Sequence, residues 1–255
     1  MKRRDFMKGA LAAVPALNVT RLTGNSAGPL GPGSKSWRKK EAAKTNGKEA
    51  VQLNPIELLK PEKSGGKPVM EALWLRRTNR KLKPDPLAPQ VLSNLLWAAF
   101  GINRPEGSML RGKPGRTAAS ASNSQEIDLY VAMPDGVYIY EAGPHRLAPV
   151  VAGDFRHRAG RRQGGANAPL RIFFVVDLSR YVLEGQPDPR IKEPEVQKSY
   201  YYVATGLIAQ NIYLYAAATG LGAWFHNCDR ENTPAEFKLR PEQKVLFAMT
   251  VGHPA

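Results

Sequence analysis

The sequence predicts an α+β fold built on a mostly antiparallel central sheet flanked by helices. Three observations carry this. Two alternating segments, Ile127–Met133 and Val137–Tyr140, flank the tight-turn dipeptide Asp135-Gly136, which reads as a β-hairpin. The continuous apolar run Ile172-Phe173-Phe174-Val175-Val176 suits a strand covered on both faces. A long helical stretch then separates these strands from a last one at Val245–Val251, and no G-x-G-x-x-G turn follows any strand. A doubly wound dinucleotide-binding sheet therefore has no support.

With 255 residues, 42% of them hydrophobic, the chain can bury the core of one globular domain. Its net charge of +15 is concentrated at the front. The first 48 residues hold eleven lysines and arginines against two carboxylates, a balance of +9 that leaves +6 for the rest. Lys2-Arg3-Arg4-Asp5-Phe6-Met7-Lys8 and the weakly apolar run Gly9–Val19 resemble a twin-arginine export signal over residues 1–28, which implies periplasmic localisation. That run is too short to span a bilayer, which takes about 20 residues. Residues 29–67, rich in Gly, Pro, Ser and Lys, read as a basic tether whose charge suits weak contact with an anionic membrane. The run Arg38-Lys39-Lys40 lacks interleaved aromatics beyond Trp37, so no specific nucleic-acid partner is expected. The single cysteine, Cys228, excludes an internal disulfide, and the four histidines show no metal-ligand spacing, so no metal is expected.

The domain is expected over residues 68–255. Val69–Arg77 reads as a short helix and Ala88–Phe100 as a second, with Val91, Leu92, Leu95, Leu96 and Ala99 at helical spacing and Gly101 as its stop. The longest helix is expected at Glu195–Thr219, with Gly220 closing it. Its apolar stripe from Val196 through Tyr200, Val203, Leu207 and Leu214 to Ala218 suits packing against a partner.

Three blocks carry the chemistry. The first is Arg76-Arg77-Thr78-Asn79-Arg80, followed by Leu95-Leu96-Trp97-Ala98-Ala99-Phe100-Gly101-Ile102-Asn103-Arg104. The second is Arg116-Thr117-Ala118-Ala119-Ser120-Ala121-Ser122-Asn123-Ser124-Gln125. The third runs from Ala209-Gln210-Asn211-Ile212-Tyr213 to Thr219-Gly220-Leu221-Gly222-Ala223-Trp224-Phe225-His226-Asn227. In this order and spacing they resemble the nitroreductase family, in particular the branch that includes the flavin-dependent azoline dehydrogenases of modified-peptide biosynthesis. The resemblance spans roughly residues 68–254.

The resemblance implies a nitroreductase-like fold, an intertwined homodimer and a bound FMN that passes two electrons by a ping-pong route between a small-molecule donor and acceptor. The reaction is then either reduction of a nitro or quinone acceptor or dehydrogenation of a substrate. An exported flavin-binding or interaction protein without turnover is the alternative. FMN combines a dianionic phosphate with a flat ring, which calls for arginines, short polar groups and backbone amides. By resemblance, Arg76 and Thr78 hold phosphate and ribityl chain, and Arg80 sits at the ring edge. Ser120, Ala121 and Asn123 form a cofactor wall, and Gly222, Ala223 and Trp224 run along the ring, with an amide from Ala223–Asn227 near the flavin N5. Arg76, Thr78 and Arg80, at alternate positions, are expected to project to one side, with Arg77 pointing away.

Two departures stand out. Ala119 replaces a proline common in the family, and the sequence ends at Gly252-His253-Pro254-Ala255 where many members continue with basic residues. Phosphate binding is therefore expected to fall on Arg76 and Arg80, helped by Arg104, Arg116 or the Arg161-Arg162 loop.

Overall fold

The structure, a computed structural model, describes residues 52–106, 112–160 and 168–255. The export-signal segment, most of the tether and the Arg161-Arg162 loop lie outside the described residues. In chain order the elements are β1 (Ile56–Glu57), α1 (Val69–Leu75), α2 (Pro89–Phe100), β2 (Ile102–Arg104), β3 (Gly115–Arg116), β4 (Ile127–Ala132), β5 (Gly136–Glu141), β6 (Arg146–Ala152), β7 (Leu170–Asp177), β8 (Val182–Leu183), β9 (Gln186–Pro187), α3 (Pro194–Thr219), β10 (Gly222–His226), α4 (Thr233–Glu236) and β11 (Gln243–Gly252). Among the described residues seven strands form one antiparallel sheet in the order β1-β6-β5-β4-β7-β11-β10.

The unbroken apolar run of β7 has a direct cause. All eight of its residues are buried, with Ile172, Phe174 and Val176 facing α2 and α3 while Phe173 and Val175 face Phe237 and Ala159 on the other side. On the helical side Leu95, Leu96 and Phe100 of α2 and Ile208 and Ile212 of α3 close the larger core. The second core is smaller and centres on Phe237, whose ring meets Phe173 edge-on at 5.0 Å.

Residues 52–62, expected to lie in the tether, are instead held against the fold. Ile56 and Glu57 pair with Leu147 and Arg146 as an edge strand, and Leu53, Ile56 and Leu58 pack on the core. Ser93 donates to the Leu59 carbonyl, and Glu62 N–H donates to Asn94 Oδ1 at 2.9 Å, fastening this segment to α2.

α3 is apolar on two faces. Tyr201, Ala204, Ile208, Ile212 and Ala216 face the core. The stripe expected from the sequence lies on the other side, with Tyr200, Val203 and Leu207 exposed, Val203 at 60%. α1 packs against α3 and adds Val69, Met70, Leu73 and an 86% exposed Trp74 to this uncovered apolar surface.

Candidate active site

The chain between α1 and α2 docks against the ends of β10 and β11. Asn79 N–H donates to the Ala223 carbonyl at 2.9 Å, Lys83 N–H to His253 at 2.8 Å, and Leu82 bridges to Pro254. Gly222 makes room for this segment: a Cβ there would lie 2.4 Å from Leu82 Cδ2 and 3.2 Å from the Asn79 side-chain nitrogen. The close approach that Gly222 allows is thus that of the chain's own backbone, and Ala223 behind it is 1% exposed.

Around this pivot the arginines divide. The Arg76 guanidinium lies 5.5 Å from the Tyr213 ring centre. Tyr213 OH accepts the Phe225 N–H at 2.9 Å and shares a hydroxyl–hydroxyl hydrogen bond with Thr78 Oγ1 at 3.1 Å. Arg80 instead lies over Trp224, 5.3 Å from the ring centre. Arg76, Thr78 and Arg80 therefore do not all project to one side, because the segment turns around the edge strand at Asn79. Nor does Arg77 point away: it lines, with Lys67, Arg76, Tyr213, Ala223 and Pro254, a cavity of about 330 Å³. Among the described residues the guanidinium groups of Arg76, Arg77 and Arg80 have no carboxylate partner, whereas Lys67 pairs with Glu71.

A second cavity, about 470 Å³, lies against the opposite face of β10. Side chains alternate along a strand, so Ala223 faces the α3 core while Trp224 and His226 face this cavity together with Gly160, Asn227, Cys228 and Asp229. Trp224 is half-buried and stacks at 4.3 Å on His226. Burial pushes the Cys228 thiol up to about 11, so it stays protonated near neutral pH and is no nucleophile.

Ser120, Ala121 and Asn123 form a tight turn in which Ser122, Asn123 and Gln125 all take left-handed φ values of 51°, 53° and 54°. Their polar groups are largely committed. Ser120 Oγ accepts the Gln125 N–H at 2.9 Å, and Asn123 donates to Lys113 O at 3.1 Å while accepting from Gln125 at 2.9 Å. Arg116 is bound to Gln125 Oε1 and the Phe100 carbonyl, which removes it as a phosphate ligand. Asn211 is a satisfied amide, donating to Ala98 O and Thr117 O.

One chain does not bring this turn to Trp224. Trp224 pairs with Thr250, which pairs with Arg171, whereas β4 starts level with Val176. Five residues along β7 separate the two levels by about 17 Å, and three strand spacings separate them sideways.

The sequence reading missed His226, Thr250 and Arg171, which meet behind the second cavity. The only signal for them was a polar residue at each of three strand positions otherwise filled by apolar ones.

Comparison with known proteins agrees with this layout. A relative from Methanocaldococcus jannaschii named as a nitroreductase is 26% identical over 210 residues, spanning 79% of this chain and 95% of the relative. A crystal structure from Ralstonia eutropha, described as a nitroreductase, shares 35% identity over 81% of this chain and 93% of its own, with a TM-score of 0.71. At 20% identity the fold alone is shared with the NADPH:FMN oxidoreductase from Vibrio harveyi, over 73% of this chain and 68% of that one, with a TM-score of 0.51. The model of the nitroreductase family matches residues 75–253, and with that match over most of its length the chain belongs to the nitroreductase family.

Proposed function

We propose that the protein is an FMN-dependent oxidoreductase working as a homodimer, each flavin site being completed by the second copy. The observation that carries this is that three guanidinium groups have no carboxylate partner among the described residues, Arg76 and Arg77 at the first cavity beside Tyr213 and Arg80 over Trp224. Uncompensated positive charge beside a cavity fits a dianionic phosphate. A half-buried indole and unpaired backbone amides at Asn227 and Cys228 fit a flat ring with a hydrogen-bonding edge. Bound FMN supplies the chemistry, accepting an electron pair from a donor and giving it to an acceptor. The chain supplies the rest. Arg76 and Thr78, with Arg77, hold the phosphate and ribityl end. Arg80 places its charge where it favours the anionic reduced flavin, and Trp224 shields that end from water.

Homodimerisation draws on two further features. The turn at Ser120, Ala121 and Asn123 is assigned to the site of the second copy, because β4, which follows it, starts about 17 Å along the sheet from the level of Trp224. The exposed apolar face of α1 and α3 is the surface on which that copy would sit. An absorbance spectrum of the purified protein, with the cofactor released and identified, tests the assignment. Flavin bands and FMN are expected, on a species that sediments as a dimer; a colourless protein that takes up no added FMN overturns it.

Export by the twin-arginine route to the periplasm is proposed on Arg3 and Arg4, and the basic run at Arg38-Lys39-Lys40 is proposed to touch anionic lipid. Replacing Arg3 and Arg4 by lysine should leave the protein in the cytoplasm. The resemblance to the azoline-dehydrogenase branch supports a dehydrogenation reaction, tested by whether a substrate bleaches the flavin without an added nicotinamide.

A further inference from the structure

A buried cation stands behind the wall of the second cavity. Arg171 is 3% exposed, and burial together with the nearby Arg156 charge pushes its guanidinium down to about 10, still charged near neutral pH. Its Nη1 donates to Thr250 Oγ1. Thr250 Oγ1 lies 2.8 Å from His226 Nε2, and His226 Nδ1 lies 2.8 Å from the carbonyl oxygen of Asn227.

These contacts fix every proton. A carbonyl only accepts, so His226 Nδ1 carries hydrogen and donates to it. An arginine only donates, so Thr250 receives from Arg171 and its own hydroxyl proton goes to His226 Nε2. Double protonation of His226 is opposed by its burial first and by the Arg171 charge, both of which lower its pKa. The result is a neutral imidazole in the Nδ1–H tautomer, within a chain of donors that all point the same way, from Arg171 to the Asn227 carbonyl.

The chain ends on one peptide plane. In a trans peptide the carbonyl of Asn227 and the N–H of Cys228 point in opposite directions, so fixing one fixes the other. Donation to the carbonyl also polarises the peptide and strengthens its N–H as a donor. Asn227 and Cys228 both line the cavity beside Trp224. Among the described residues the Cys228 N–H has no partner.

Taking FMN as the ligand of the Arg76–Trp224 edge, we propose that His226 is a positioning residue. Held by Arg171 through Thr250, it locks the Asn227–Cys228 peptide and carries part of the buried positive charge to the Cys228 N–H. The electron-rich reduced ring gains more from such a donor than the oxidised ring does, so the relay raises the flavin potential. No group in the relay gains or loses a proton.

Cys228 is the only cysteine, so full-length protein labelled with ¹⁵N-cysteine gives a single backbone amide signal, and ¹⁵N-histidine labelling reports the tautomers of the four imidazoles. In the flavin-free protein one imidazole should carry its proton on Nδ1 alone and be lost in His226→Phe. Thr250→Val, nearly isosteric, should break the relay and, by making the Cys228 amide less acidic, slow its exchange about tenfold, while Thr250→Ser should restore it. With FMN bound, Thr250→Val should reduce the preference for reduced over oxidised flavin about tenfold, a fall of about 30 mV for a two-electron couple. Thr250→Ser should return the potential to the wild-type value. A proton on Nε2 of His226 in the wild-type protein overturns the relay without touching the flavin assignment. So does a Thr250→Val protein whose Cys228 exchange and potential are unchanged. The expected tautomer in a protein that takes up no FMN overturns instead the flavin assignment, and the role of His226 in potential with it.

Discussion

Arg76, Arg77 and Arg80 carry charge that no carboxylate among the described residues neutralises, so each is expected to act on ligand binding rather than on folding. A charge-assisted hydrogen bond contributes about 1.5–3 kcal/mol, and each 1.4 kcal/mol is about tenfold in affinity. Arg76→Ala should therefore weaken FMN binding by about one to two orders of magnitude with the melting temperature unchanged, as read by fluorescence titration. Arg77→Ala should weaken it as well, because both line the same cavity. Arg80→Ala, stacked on Trp224, should mainly lower the reduction potential while flavin is retained. Normal affinity in all three variants would remove the basis for placing the phosphate there. Arg76, Thr78, Arg80 and Trp224 were named from the sequence because they fall in short blocks of ordered residue types. Their division between two faces of β10 was not. It depends on Asn79 hooking the Ala223 carbonyl, a contact across 144 positions of chain that no local pattern encodes.

At the scale of elements, the sequence placed α1, α2, α3, β4, β5, β7 and β11 to within one or two residues, since Gly101, the Asp135-Gly136 turn and Gly220, at a left-handed φ of 77°, punctuate them, and it left the short strands and α4 unassigned. It missed β6, where Pro149 pairs with Tyr138 beside an irregularity in the ladder and masks the strand pattern. It also took the outward stripe of α3 for the main one, because both faces are apolar and periodicity alone cannot rank them. That second face has a testable use. Val203→Glu with Leu207→Glu puts two charges into the proposed dimer surface without touching the core, and should yield a monomer by sedimentation that no longer retains flavin. A different element-level test concerns the start of β4. Asp128 is buried, and Arg180 donates to it at 2.6 Å. Arg180→Ala leaves that carboxylate without its cation, which typically costs about 3–5 kcal/mol, read as a lower urea midpoint.

For the molecule as a whole, strong acid should release the carboxylates held by Arg156 and Arg158, among them Asp229 in the wall of the second cavity. Asp229 accepts from Asn232 and Glu231 backbone amides, from the Asn232 side chain and from Arg158, which holds its carboxyl down to about 2. Glu236 and Asp154 are also lowered, first by hydrogen bonds from Arg158 and Arg156 respectively. These carboxyls lie below their unfolded-chain values in the folded protein. The stability they contribute is therefore complete above about pH 4 and is lost as pH falls towards 2. The melting temperature should drop through that window, and Asp229→Asn should flatten the drop while lowering the melting temperature at pH 7. An acid limb unchanged in the variant would assign the loss to other groups.

The first described residues enter the fold beside β1, and β10 is the last strand at the other edge, six strand spacings or about 29 Å away across the sheet. An attachment at residue 52 therefore takes hold at the far edge of the sheet from Trp224. A bead, an electrode linker or a fluorescent fusion attached at residue 52 would sit away from the proposed flavin site, whereas the same attachment at Ala255, next to Lys81, would crowd it.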